Sequence, residues 1–156
     1  MAHIDYYTFF MSPFTYLVGQ ELEAVAARHG ATVTYKPFAL IQVFELTGGT
    51  PLAQRHDSRK AYRLQELTRI AARRGLPINL QPAHWPTNPV PASAAMIAAQ
   101  EAGGGDLGAL HHGILRACWA EEKDIAEDAV LGECLEAAGF DPALLGGSLL
   151  TGAETY

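Results

Sequence analysis

The sequence predicts an α/β fold in which a β-α-β unit at the N-terminus precedes a long helical region. Residues 3–10 and 31–38 are short runs rich in aromatic and β-branched residues, and such runs favour strands. Between them, and over most of the chain after residue 40, apolar residues recur at the three- and four-residue spacing of helices. The two strands are expected to be parallel, since a crossover of this kind is almost always parallel and right-handed.

The first helix is predicted to begin at Ser12 and to end at Gly30. Serine is a favoured N-cap residue, and Pro13 suits the first helical position, where a backbone N–H would have no partner within the helix. Glycine is typical of the residue that follows a helix. The second strand is predicted to end at Pro37. The local pattern alone interprets Ser12 as a cap.

Glycine, aspartate and proline divide the rest of the chain into short helices. Residues 77–91 contain five of the nine prolines and are predicted to form a loop. Because roughly three strands are needed for a stable sheet, further strands are expected from another chain or from sequence beyond Tyr156. The predicted helices span residues 40–46, 58–74, 92–102, 106–121, 127–138 and 142–150.

Composition excludes several classes of function. The 156 residues carry a net charge of −6, which argues against nucleic-acid binding. No apolar run approaches the roughly 18 residues of a membrane helix, and residues 1–5 lack the features of a secretory signal, so a cytoplasmic location is expected. Neither Cys118 with Cys134 nor the histidines have the spacing of a disulfide framework or a metal site.

Positive charge is concentrated in one segment of this acidic chain. Residues 55–74 hold seven of the eleven basic residues and only two acidic ones. Two interpretations stay open: a solvated helix face, or a group of cations that binds a small anionic ligand.

Five segments, taken in order, resemble one family: DYYTFFMSPFTYL, YKPFAL, TGGTP with SRKAYRLQELTRIAARRGLP, PASAAMIAAQEAG, and ACWAEEKDIAEDAVLGECLEAAGFD. The chain resembles 2-hydroxychromene-2-carboxylate isomerases and their kappa-class glutathione transferase relatives, in the DsbA-like branch of the thioredoxin fold. The resemblance implies a thioredoxin-like domain with a large helical insertion. Residues 1–39 would be its first β-α-β half and residues 40–156 the inserted helical domain, with the second thioredoxin half missing from this sequence.

The resemblance also implies a glutathione site. Relatives that exchange disulfides carry Cys-x-x-Cys where this chain has Ser12-Pro13-Phe14-Thr15, so the sulfur would have to come from bound glutathione. Ser12 would hold the glutathione thiolate, and Lys60 would contact a glutathione carboxylate. Gly49 takes the place of a cofactor-binding asparagine, which removes one polar contact. Four residues are predicted to line the cleft between the two parts, which would suit a flat aromatic substrate: Phe10, Phe14, Trp85 and Asn88.

The implied activity is cis-trans isomerisation without net redox change. The family reaction interconverts 2-hydroxychromene-2-carboxylate and trans-o-hydroxybenzylidenepyruvate during bacterial breakdown of naphthalene-like aromatics. A kappa-like glutathione transferase is an alternative, as is an inactive glutathione-binding or helical module. The expected partners are a small aromatic carboxylate and a second copy of the chain in a homodimer.

Overall fold

The computed structural model describes residues 1–147 and begins with two parallel strands. Strand β1 (His3–Thr8) pairs with β2 (Thr32–Pro37), with His3 opposite Thr32 and Thr8 opposite Pro37. These two strands form the sheet of the described residues. The predicted β-α-β unit is therefore confirmed, with both strands slightly shorter than expected.

Two helices, rather than the single predicted one, connect the strands. Helix α1 (Pro13–Val18) ends at Gly19, whose φ is 61° and whose N–H donates to the carbonyl of Tyr16. A residue with a side chain seldom adopts this backbone conformation, so the glycine permits the break. Helix α2 (Glu21–His29) then ends at Gly30 in the left-handed conformation, as predicted.

The helical region follows the predicted order with small shifts at the ends. A predicted helix over residues 142–150 starts as a 3₁₀ turn (Pro142–Leu144), and its residues after 147 lie outside the described part of the chain. No helix within residues 1–147 has both the length and the apolar character needed to cross a bilayer. The remaining helices are α3 (Leu40–Thr47), α4 (Asp57–Arg74), α5 (Val90–Ala102), α6 (Leu107–Ala120) and α7 (Asp128–Ala137).

The core lies where α5 and α6 pack on the β-α-β unit. Helix α5 is buried on several sides because alanines and two larger apolar residues cover most of its surface. It lies against β2, where the Gln100 side chain accepts a hydrogen bond from the Tyr35 backbone N–H (2.9 Å) and donates one to the Tyr35 carbonyl. The Gln100 side chain therefore satisfies two backbone hydrogen-bonding groups at the outer edge of β2.

A buried polar contact fixes the end of β1 against α6. The Thr8 hydroxyl lies 2.7 Å from His111 Nε2, inside a group of rings that includes Tyr6, Phe10 and Tyr35. Burial lowers the pKa of His111 to about 3, so the imidazole is neutral at neutral pH. The chain that follows β1 leaves the sheet from this anchored position.

Candidate functional site

A cavity of about 750 Å³ opens between the chain after β1, helix α3, the start of α4 and the proline-rich loop. It brings together four residues that were selected from the sequence: Ser12, Phe14, Lys60 and Trp85. Its walls are mainly apolar and aromatic, which is typical of a small-molecule site. The apolar lining includes Phe9, Phe14, Leu40, Ile41, Phe44 and Trp85.

Ser12 both caps α1 and lines the cavity. Its Oγ accepts a hydrogen bond from the Thr15 backbone N–H (3.2 Å), and its own N–H donates to the Phe9 carbonyl (3.0 Å). The hydroxyl proton has no acceptor among residues 1–147. Because a serine hydroxyl has one proton and two lone pairs, the cap leaves it able to donate to a ligand. Helix α1 has only six residues, so the hydroxyl matters more here than the helix dipole.

Three cations and no acidic residue line the cavity within the described chain. Lys60 is one of them, and its Nζ lies 3.2 Å from Asp57 Oδ1 in a pair whose side chains are 40% and 94% exposed. Ion pairs this exposed contribute little to stability. Lys60 can therefore exchange this partner for an anionic ligand at small cost.

Arg55 and Arg63 are the other two cations, and the sequence analysis did not single them out. Arg55 is held by a hydrogen bond from its Nε to the Thr50 carbonyl (2.8 Å). Arg63 lies over the ring of Trp85, with its guanidinium carbon 5.5 Å from the ring centroid. The spacing in the sequence could have indicated Arg63, because residues three apart in a helix, such as Lys60 and Arg63, lie on the same face.

Gly49, which takes the place of a cofactor-binding asparagine in the family resemblance, is not among the residues that line the cavity. It lies behind the aromatic ring of Phe44, and a Cβ at this position would be 2.3 Å from that ring. Any larger residue would force Phe44, a wall of the cavity, to move. The position of the Phe44 ring therefore explains why a glycine fits at position 49 in this chain.

Phe10 and Asn88 were also expected to line the cleft, but neither is among the residues that line the cavity. Phe9 lines the cavity, whereas the next residue, Phe10, is fully buried against His111. Asn88 is exposed, and its Oδ1 accepts a hydrogen bond from the Val90 N–H (3.1 Å) at the start of α5. Phe9 and Phe44 are thus the aromatic residues of the cavity that the sequence analysis missed.

The two cysteines of the sequence lie outside the cavity lining. Burial raises the pKa of Cys118 to about 12 and that of Cys134 to about 11, so both remain protonated thiols. The cavity therefore has no protein thiol to react with a substrate. No group of three or more His, Cys, Asp or Glu residues within residues 1–147 is placed to hold a metal ion.

The β-α-β unit, the capped helix directly after β1 and the helical region that follows fit a DsbA-like thioredoxin fold. The sequence matches the DSBA-like thioredoxin domain over residues 3–154, and the chain belongs to this family. A comparison with curated proteins found no match.

Solved structures agree with this assignment. A 2-hydroxychromene-2-carboxylate isomerase is similar at a TM-score of 0.73 and 25% identity, over 98% of this chain and 73% of that chain. The cytosolic disulfide reductase DsbM from Pseudomonas aeruginosa has a TM-score of 0.71 and 21% identity, over 97% and 71%. DsbM has also been solved with GSH, at a TM-score of 0.63 and 20% identity, over 97% and 78%. The likeness to DsbM shows the shared fold.

Proposed function

We propose that the protein is a glutathione-dependent isomerase of the 2-hydroxychromene-2-carboxylate isomerase type. The observation that carries the proposal is the serine hydroxyl, with a proton to donate, in a cavity that has three cations and no cysteine. The similar isomerase structure supports this choice over a disulfide reductase. A reductase of the usual kind needs a reactive thiol at the position of Ser12.

The lining of the cavity fits glutathione by its chemistry. Glutathione carries two carboxylates and a thiol, while the cavity offers cations and a hydroxyl donor. Lys60 would pair with one carboxylate, and Ser12 would donate to the sulfur. A free thiol with a pKa near ~8.5 is a few per cent ionised at neutral pH. A hydrogen bond to a charged acceptor contributes about 1.5–3 kcal/mol, which would lower that pKa by about one to two units.

The residues of the chain have distinct tasks in this reaction. When bound, glutathione would supply a thiolate that adds reversibly to a conjugated double bond and so permits its rotation, with no net redox change. Ser12 would stabilise the negative charge on sulfur before addition and after elimination. Phe9, Phe14 and Phe44 would hold a flat substrate and exclude water, which strengthens the hydrogen bond from Ser12.

A glutathione transferase would use the same serine but would end with a stable conjugate. The two activities differ in the fate of the thiol, so one experiment separates them. The protein is incubated with 2-hydroxychromene-2-carboxylate, with and without glutathione, and both the ring-opened product and free thiol are measured. We expect product to form only with glutathione and free thiol to stay constant.

Loss of thiol with chlorodinitrobenzene, but no isomerisation of the chromene acid, would favour the transferase. Isomerisation at the same rate without glutathione would contradict both. The absence of any thermal shift with glutathione would point to a helical module without the cofactor, since a ligand at 100 times its dissociation constant stabilises a protein by about 2.7 kcal/mol.

A further inference from the structure

Arg63 is a half-buried cation of the cavity that lacks a carboxylate partner within residues 1–147. It lies on α4 and lines the cavity. None of the ion pairs in the described part of the chain includes it. Its neighbour in the cavity, Lys60, pairs with Asp57 at the exposed rim. A half-buried guanidinium without a counter-ion is a binding position for an anion, since it has already lost part of its hydration.

Trp85 links Arg63 to the Ser12 loop. The Arg63 guanidinium lies over the Trp85 ring, and the indole Nε1–H donates to the carbonyl of Met11 (3.1 Å), the residue before Ser12. The ring also packs against the fully buried Trp119, with centroids 5.6 Å apart. Three contacts therefore fix the indole. Arg63 on this support lines the same cavity as the serine hydroxyl.

Arg55 adds a second guanidinium to this part of the cavity. Both guanidinium groups line the cavity, and no acidic residue of the described chain does. Burial and the charge of Arg55 both lower the pKa of Arg63. Arg55 commits its Nε to the Thr50 carbonyl and keeps its terminal N–H groups for other acceptors. A carboxylate bound between the two cations would relieve their repulsion.

We infer that Arg63, supported by Trp85, binds the carboxylate of the aromatic substrate. The aromatic ring of the substrate then lies on the apolar wall of the cavity. Arginine suits this task because its planar fork can bind both oxygens of a carboxylate. Lys60 at the exposed rim is left for glutathione. The inference rests on the proposed function in that it takes the cavity to be the place where the aromatic substrate binds.

The test measures binding of two ligands of the same shape, 2-naphthoate and its neutral amide, by titration calorimetry without glutathione. We expect the wild-type protein to bind the carboxylate at least about tenfold more tightly, from the hydrogen bonds to a charged group. Arg63→Met should reduce this preference at least about fivefold, although Arg55 still lines the cavity. Arg59→Met, on the same helix but outside the cavity lining, should keep it. No preference in the wild type, or an equal one in Arg63→Met, would overturn the inference.

Glutathione titrations distinguish whether Arg63 binds the carboxylate of the aromatic substrate or a carboxylate of glutathione. We expect Arg63→Met to change the glutathione dissociation constant by less than about twofold. A loss of glutathione affinity in Arg63→Met, with the naphthoate preference intact, would reassign Arg63 to glutathione and overturn the inference. A wild type that binds no glutathione but shows the Arg63-dependent preference would refute the proposed function and leave this carboxylate site standing.

Thermal melting checks that each variant is folded. If Arg63→Met melts below the assay temperature, Arg63→Lys replaces it, because lysine keeps the charge but not the planar fork. A loss of at least about threefold in the preference for naphthoate is expected for that variant, and an unchanged preference would count against the inference.

Discussion

The N-terminal β-α-β unit and the helical region that follows differ in how they bury their side chains. Strand β1 alternates exposed and half-buried residues until Thr8, whereas α5 is buried almost continuously from Ala92 to Ala99. The helical region thus supplies most of the core, and the β-α-β unit supplies a short loop with Ser12. The cavity forms where this loop meets the cations of α4. In the proposed function, chemistry belongs to one region and recognition mainly to the other.

The largest expected effect tests the difference in burial. Trp119 on α6 has no exposed surface, and Trp119→Ala should lower the free energy of unfolding by about 3–5 kcal/mol because it leaves a cavity. Tyr7 on β1 is 62% exposed, so Tyr7→Ala should cost about 1 kcal/mol or less. Urea denaturation of both variants measures the two values. Equal costs would show that the exposed Tyr7 contributes as much to stability as the buried Trp119, which would contradict the argument from burial.

The next effect tests the chemical role of Ser12. Ser12→Ala should reduce isomerisation about 10- to 100-fold, through the loss of a hydrogen bond to a thiolate worth about 1.5–3 kcal/mol. The thiol pKa would rise in the variant. As pH is lowered, the variant should therefore lose activity at a higher pH than the wild type does.

Removal of the cap should lower stability as well, by about 0.5–2 kcal/mol. Ser12→Thr keeps both the cap and the hydroxyl, so it separates folding from chemistry. An unchanged pH-rate profile in Ser12→Ala would contradict the role of the hydroxyl.

A third effect tests how α6 holds the β-α-β unit. Burial lowers the pKa of His111 to about 3, below the unfolded value of about 6.5. Between these values the unfolded chain binds more protons, so the contribution of His111 to stability is present above pH 6.5 and is lost as pH falls towards 3. The slope is at most about 1.4 kcal/mol per pH unit. The free energy of unfolding of His111→Asn should change less steeply with pH across this range than that of the wild type. His29 is exposed, so His29→Asn should match the wild type.

Local patterns predicted the elements but not the way neighbouring residues are divided between core and cavity. Serine and proline at a helix start, and glycine at its end, act within a few residues, so Ser12 and Gly30 were assigned correctly. The break at Gly19 was missed because the apolar spacing continues across it. Phe9 and Phe10 are the same residue type, and only the tertiary packing shows which of them lines the cavity.

Lys60 and Arg63, the two candidate site residues on α4, were identified in different ways. Lys60 was selected through the family resemblance, and the cavity includes it. Arg63 lies in the same basic segment, but charge alone does not distinguish it from exposed neighbours such as Arg59. The feature that does so is Trp85, which lies further along the sequence and meets Arg63 only in the folded chain.

The smallest effect tests recognition by the helical region. Lys60→Met should weaken glutathione binding by about two- to fivefold, in keeping with the contribution of about 0.2–1 kcal/mol that exposed ion pairs make. The turnover rate at saturating glutathione should stay unchanged, since Lys60 would contact the bound carboxylate and not the sulfur. Added salt should reduce the difference between variant and wild type, because it screens exposed charges. A lower turnover rate with unchanged affinity would place Lys60 with Ser12 in the chemistry and remove the division of roles between the two regions.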